Sequence, residues 1–380
     1  MATLAEHNLP ETYTGLLFHS ASEPPTLSAL PTPLPTAGTV IVKPLYAIIV
    51  QYANEIFTNG NPRGYKYPLP FVPGGTCIAR IAAVPPEATS LKPGQLVYVE
   101  LTLRARDDPN LKVLRGYHEG TTEGSRRLMA GEMRNGVWAE LATAAMESVH
   151  ALDEEALVGK LGYKLEELGS LSQLIVPYGG LSDVGLKPGE TVIIAPATGS
   201  FGSAAVHAAL AMGARVIAMG RNENALAGLK NLAEPGRVET VKISGDVEED
   251  TKTLARFGPV DVFFDISPPL AGKSSHIKAG VLSLKPGGRM NMMGGVRGDI
   301  ELPYWQITHY GLTIKGTFMN TTQQAKDLIK IVERGVLKIG SRAGLKVAGK
   351  FALEDWQKAL DAAAAEGGPG KSVYFIPNGE

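Results

Sequence analysis

Six unbroken apolar runs set the strongest limit on how this chain can fold. TVIIAPA (191–197), ARVIAMG (214–220), VETVKIS (238–244), PVDVFFDI (259–266), GRMNMMGG (288–295) and LTIKGTF (312–318) lack the polar–apolar alternation of a half-solvated strand. Helix-like segments separate most of them. A strand apolar on both faces must be covered on both, so the pattern predicts a parallel sheet with helices on either side. Six such strands match a doubly wound α/β arrangement.

The first part of the chain reads differently. Between Gly38 and about Leu152, short runs (TVIVKPLYAIIV, TCIARIAAV, GQLVYVEL, GVWAELATA) alternate with turn signals, which suggests an all-β unit of barrel type. The long polar stretch LRARDDPNLKVLRGYHEGTTEGSRR reads as an excursion loop, and the five prolines of residues 20–36 as an extended surface segment. From Asn320 onward a helix (QQAKDLIKIVERG) precedes KSVYFIP, a strand expected to rejoin the β-rich unit. At 380 residues the chain exceeds what one core usually supports, so two domains are expected.

Charge and cysteine usage narrow the functional classes. With 37 basic and 38 acidic residues there is no general field for a nucleic acid or an anionic membrane. No apolar run is long enough to span a bilayer, and the N-terminus lacks a charged start followed by an apolar core, so a cytoplasmic location is expected. The single cysteine, Cys77, excludes an internal disulfide and a thiolate-rich zinc site, and reads as a small buried hydrophobe.

APATGSFGSAAVHAALAMGARVIAMGRN (195–222) connects two of the apolar runs through a tight turn and an amphipathic helix closed by Gly213. The pattern Ala197-x-Gly199-x-x-Gly202 is that of a dinucleotide turn: Gly199 lets a pyrophosphate approach the backbone, and Gly202 lets helix and strand pack closely. The phosphates would rest on the helix N-terminus, drawn by free N–H groups and the dipole, with Thr198, Ser200 and Phe201 lining the turn. The second strand ends on Gly220, Arg221 and Asn222, where an acid would bind the ribose hydroxyls of NAD. An arginine there can stack on adenine and pair with a 2′-phosphate, which favours NADPH. The alternative is a solvated Arg221 with Glu223 as the ribose ligand.

These residues, together with LKPGQLVYV (91–99), GVWAEL (136–141), LKPGETVIIAPATGSFGSAAV (186–206) and GKSVYF (370–375), resemble the medium-chain dehydrogenase/reductase superfamily across nearly the whole chain. The resemblance implies a GroES-like catalytic domain over residues 1–155, completed by 320–380. A Rossmann NADP-binding domain would occupy 156–319, with the active site in the cleft between the two. Many family members hold a catalytic zinc. At its ligand positions this chain carries Gln51, Gly75 and Ser172, which cannot make a zinc site. Residues 100–125 contain no cysteine for a structural zinc either. His118 reads as a surface histidine and His207 as a packing residue.

Without a metal, hydrogen-bond donors must stabilise the charge that hydride transfer leaves on an acceptor oxygen. By resemblance to zinc-free quinone and enone reductases, Tyr52 is the leading proton donor or oxyanion partner, with Gln51 and Asn54 in support. Tyr178 corresponds to a family aromatic near the nicotinamide, where Gly179 and Gly180 would leave room. Tyr52 and Tyr178 have a packing alternative. Ser267 is placed for the adenosine-side ribose region, Met293 and Gly294 for the nicotinamide, Asp265 for a structural role, and Tyr65, Lys66 and Tyr67 for the cleft mouth. The expected function is zinc-independent reduction by NADPH of a carbonyl or activated C=C in a small molecule, by a protein expected to be a homodimer. The alternatives are a nucleotide-binding protein without turnover and an alcohol dehydrogenase-like enzyme.

Overall fold

The computed structural model describes residues 3–20, 23–58 and 60–379. They form two compact units: residues up to Ser172 together with Ile339 onward, and Gln173–Lys338.

The first unit opens with an antiparallel ribbon, β1 (Thr12–Leu17) and β2 (Thr26–Pro31). The proline-rich segment thus contributes a strand, on a solvent-facing edge where missing N–H groups cost little. The long β3 (Thr39–Ile49) leads through a single-turn helix, α1 (Ala53–Phe57), to β4 (Cys77–Ala83) and β5 (Leu96–Val99). The stretch read as an excursion loop is ordered instead. It forms a hairpin, β6 (Thr102–Arg104) and β7 (Lys112–Leu114), followed by α2 (Glu123–Ala130). Its scattered apolar residues Leu103, Val113, Met129 and Met133 close a small core of their own, which sparse spacing hid from a periodicity argument. β8 (Ala142–Ala145) and β9 (Val149–Ala151) complete this half.

The second unit begins on α3 (Leu171–Asp183) and then alternates strand and helix: β10 (Thr191–Ala195), α4 (Ser200–Ala211), β11 (Arg215–Gly220), α5 (Glu223–Lys230), β12 (Val238–Lys242) and α6 (Val247–Leu254). β13 (Val260–Asp265), α7 (Ser275–Leu282), β14 (Leu284–Met292), α8 (Tyr304–His309), β15 (Thr313–Gly316) and α9 (Thr322–Glu333) follow. All six strands are parallel, in the order β12-β11-β10-β13-β14-β15, the doubly wound topology in which two halves diverge from the first strand. Ile193, Ile217, Phe263 and Met290 are fully buried between the helical layers. Truncating a side chain such as Phe263 to alanine costs about 3–5 kcal/mol in such a core.

The tail supplies β16 (Lys346–Phe351), α10 (Trp356–Glu366) and β17 (Lys371–Phe375). β17 pairs antiparallel with β3, so KSVYFIP rejoins the β-rich sheet, whose order is β16-β17-β3-β4-β5-β9 with β8 also on β3. Phe57, Trp138 and Phe375 pack edge to face at 5.1 and 5.0 Å in the core of this unit. The seams expected at 155/156 and 319/320 lie elsewhere. Residues 163–170 stay with the first unit, where the Tyr163 hydroxyl accepts from Ile339 N at 3.3 Å. α9 belongs to the second unit: its buried Ala325, Leu328 and Val332 face inward, and Gln324 donates to Gly179 O at 3.2 Å.

Candidate functional site

The glycine turn joins the end of β10 to the start of α4. α4 starts directly after Gly199, whose missing side chain leaves the first-turn N–H groups without a side-chain cap. Nothing lies within 4 Å of where a Cβ on Gly199 would stand, so the approach is open. At Gly202 a Cβ would collide with the Pro196 carbonyl, so only glycine lets α4 lie this close to the end of β10. Gly220 acts differently, because a Cβ there would come within 2.5 Å of the Thr198 side chain, and its absence gives Thr198 its place. Ser200 and Phe201 are half-buried in the first turn of α4.

Beyond the turn, cations gather at neighbouring strand ends. Arg221, just past β11, is exposed and makes no ion pair with any described residue. Lys242 ends β12 opposite Gly220 and holds Glu223 at 3.0 Å, so the carboxylate considered as a ribose ligand already has a partner. Asn222 caps α5, its Oδ1 accepting from Ala225 N at 3.0 Å. Lys242 escaped the sequence reading because its relation to Arg221 is one of strand register.

At the end of β13 the Ser267 hydroxyl donates to Asp265 Oδ1 at 2.5 Å and lies 2.8 Å from His276 Nε2. Since its one proton goes to Asp265, Ser267 accepts from His276, whose Nδ1 is 2.7 Å from Ser274 Oγ. All three of Asp265, Ser267 and His276 are buried. The Ser267 hydroxyl is therefore saturated by protein, and Asp265 has the structural partner expected of it. Gly294 is exposed beside this knot: a Cβ there would lie 2.5 Å from Ser267 N. Met293 packs by its sulfur against the space above Gly180, where a Cβ would meet it at 2.6 Å, so the room at Gly180 is used by side chains of the sheet. Tyr178 is 9% exposed, and burial raises its hydroxyl above the ordinary value, with the Asp327 carboxylate adding to the shift.

In the β-rich unit, Tyr52 precedes α1 and is half-buried. Burial pushes its hydroxyl up to about 12, Tyr65 adds to that, and the Arg63 guanidinium 3.8 Å over the ring works against it. Arg63 is fixed by Glu55 at 2.8 Å. Gln51 is exposed, whereas the Asn54 amide donates to Asp361 at 3.1 Å and its oxygen accepts from Thr58 at 2.9 Å. Tyr67 stacks on Phe57 and Phe71 and donates to Ile56 O, a packing role. His118 is not a solvated surface histidine: its ring lies 5.0 Å from Tyr65, its Nδ1 accepts from Gly120 N at 2.9 Å, and burial lowers it to about 4. Cys77 is buried, its thiol pushed up to about 12 by desolvation.

The three positions that would carry a catalytic zinc do not form a donor set. A Cβ at Gly75 would stand 2.6 Å from Leu101 Cβ and 2.7 Å from the Tyr117 ring, so the space for a ligating side chain is filled. Ser172 donates to Gly169 O at 2.7 Å within the protein. Among the described residues no three His, Cys, Asp or Glu side chains converge as metal ligands. No helix among them is long and apolar enough to cross a membrane.

Two family models match the chain, the alcohol dehydrogenase GroES-like domain over residues 36–154 and zinc-binding dehydrogenase over 201–334. Among curated proteins it is similar to sorbitol dehydrogenase of Bacillus subtilis, 24% identical over 98% of this chain and 99% of that protein. Among solved structures it is similar to a candidate zinc-binding dehydrogenase of Sinorhizobium meliloti 1021 bound to NADP, at TM-score 0.74 and 16% identity over 97% of this chain and all (100%) of that one. It is also similar to a crotonyl-CoA carboxylase/reductase, at TM-score 0.75 and 16% identity over 97% and 89% of the two chains. With both domain models matched in order and the doubly wound sheet and glycine turn in place, the chain belongs to the medium-chain dehydrogenase/reductase superfamily.

Proposed function

We propose that this oxidoreductase is NADPH-dependent and zinc-independent, and that it reduces a carbonyl or an activated C=C bond of a small molecule such as a quinone, enone, ketone or enoyl thioester. The observation that carries the reading is the pair of strand ends where Arg221 stands exposed and unpaired while Lys242 occupies Glu223. A free guanidinium with the nearby carboxylate already neutralised suits a 2′-phosphate and ill suits a bare ribose diol.

The cofactor supplies hydride when bound. The chain's own groups do the rest. The open first turn of α4, from Gly199 through Ser200 and Phe201 to Gly202, receives the diphosphate by backbone N–H groups and dipole. Thr198, Gly220 and Asn222 shape that turn and the helix beside Arg221. The ends of β13 and β14 at Ser267, Met293 and Gly294 border the cofactor through backbone and apolar contact, since the Ser267 hydroxyl is spent on Asp265 and His276. Tyr52, held neutral by its raised hydroxyl, gives its proton to the oxygen or carbon that becomes basic as hydride arrives. Gln51 offers a free amide as a second donor. Asn54 supports the pair from α1, and Tyr178 contributes as an apolar wall.

Oxidation of NADPH against a panel of quinones, enones and ketones tests the reading, with metal analysis of the same preparation. Turnover by zinc-free protein is expected. Stoichiometric zinc would overturn the assignment of Gln51, Gly75 and Ser172, and tight NADPH binding with no acceptor reduced would make the chain a binding module. The edge strand β15, together with Tyr304 at 80% and Trp305 at 62% exposure on the preceding helix α8, supports a homodimer.

A further inference from the structure

The β-rich unit contains a cavity of about 490 Å³ bounded by β16, β17 and the turns 164–170 and 340–341. The sequence builds it through close approaches. Gly340 takes a left-handed conformation (φ +55°), and a Cβ there would lie 2.6 Å from Glu167 Cβ, so only glycine seats the 340–341 turn on Glu167. β16 ends the sheet, and its register with β17 shifts between Val347 and Gly349.

The polar groups of this cavity divide into those already satisfied and those left open. Glu167 accepts from Ser341 N at 2.7 Å and from Lys164 N at 2.8 Å. Burial alone would raise its carboxyl, but those bonds outweigh it and hold the group below its ordinary value. Glu166 faces Lys350 at 4.0 Å and the Tyr46 hydroxyl. Both carboxylates are thus engaged. On the open side, Lys346 lines the cavity with an ammonium that makes no ion pair with any described residue, and Lys164 lines it too, its charge helping to hold Glu167 down. Ser170 lines it too, is only 3% exposed, and its hydroxyl makes no hydrogen bond to any described residue. The Tyr374 hydroxyl, raised by burial, is already engaged with Ser372.

Ammonium groups and a hydroxyl that line one cavity suit an anion, whose oxygens accept charge-assisted hydrogen bonds from them. The volume exceeds what a bare oxyanion fills, and the lone pairs remaining on Glu166 and Glu167 can accept from ligand hydroxyls. We propose that this cavity is a second small-molecule site, separate from the nucleotide turn, for a hydroxylated organic phosphate held by Lys164, Lys346 and the Ser170 hydroxyl.

Calorimetric titration of the full chain with glycerol 3-phosphate, and in parallel with inorganic phosphate, tests the proposal. Saturable binding of glycerol 3-phosphate at one site per chain is expected, tighter than that of inorganic phosphate. Lys346→Gln should weaken it about threefold, as for an exposed charge contact. Ser170→Ala should weaken it roughly tenfold, as for a hydrogen bond to a charged group. Arg221→Ala should leave it unchanged. Absence of saturable binding overturns the site. Loss in Arg221→Ala with no response to Lys346→Gln assigns the phosphate to the nucleotide turn and overturns it equally. Equal affinity for inorganic phosphate overturns the hydroxylated class. Lys346 is on the surface, so its variant decides the matter even if Ser170→Ala does not fold.

Discussion

Lys242 Nζ stands 3.0 Å from Glu223 Oε1, so the cation that ends one strand holds the carboxylate that follows its neighbour. Arg221, two residues before Glu223, faces solvent and makes no ion pair with any described residue. Removing that guanidinium should weaken NADPH about 10- to 100-fold while changing NADH little, because only the 2′-phosphate forms a charge-assisted bond to it. Fluorescence titration of Arg221→Ala with both nucleotides measures this. Equal loss for the two would contradict the NADP assignment.

Tyr52→Phe deletes one oxygen from a half-buried ring and leaves the Arg63 stack intact. Turnover should fall roughly 100-fold, in the range of a lost general acid, with NADPH affinity unchanged. Because the hydroxyl sits at about 12, the wild-type rate should show no loss from Tyr52 ionisation between about pH 7 and 10. A variant as active as wild type removes Tyr52 from the chemistry.

Glu100 tests the β-rich unit through pH. Burial alone would raise its carboxyl, yet His150 and the Arg104 guanidinium outweigh burial and hold it below its ordinary 4.5. A depressed carboxyl adds stability above its unfolded value and loses it as the pH falls through its folded value. Glu100→Gln should therefore cost about 3–5 kcal/mol near pH 7, as when one member of a buried pair is removed. The gap to wild type should narrow as the pH drops below 4.5, read as thermal midpoints across a pH series. A gap that stays constant with pH would show that the pair carries no such linkage.

Light scattering should give twice the chain mass for the wild type. Trp305→Glu, placing a charge on the exposed face of α8, should shift the population toward monomer without loss of the fold. A monomeric wild type would leave that apolar face unexplained by self-association.

Much of this molecule follows from local pattern. Apolar runs announced each parallel strand to within a few residues, because the central strands are covered on both faces, and KSVYFIP announced the return of β17 to the barrel-like sheet. The glycine turn was equally plain, since Gly199 and Gly202 answer to steric limits set by their immediate neighbours. Spacing did not reveal the hairpin and helix of residues 102–130, whose few apolar side chains reach a core only after the chain has doubled back. Nor did it reveal that His276 saturates Ser267, that Lys242 captures Glu223, or that Leu101 and Tyr117 fill the space beside Gly75. Those depend on groups brought together across strands, loops and helices. Residue identity and order determined the class of fold and the place of the glycine turn between β10 and α4. Only tertiary packing decided which polar atoms were already satisfied and which were left to meet a ligand.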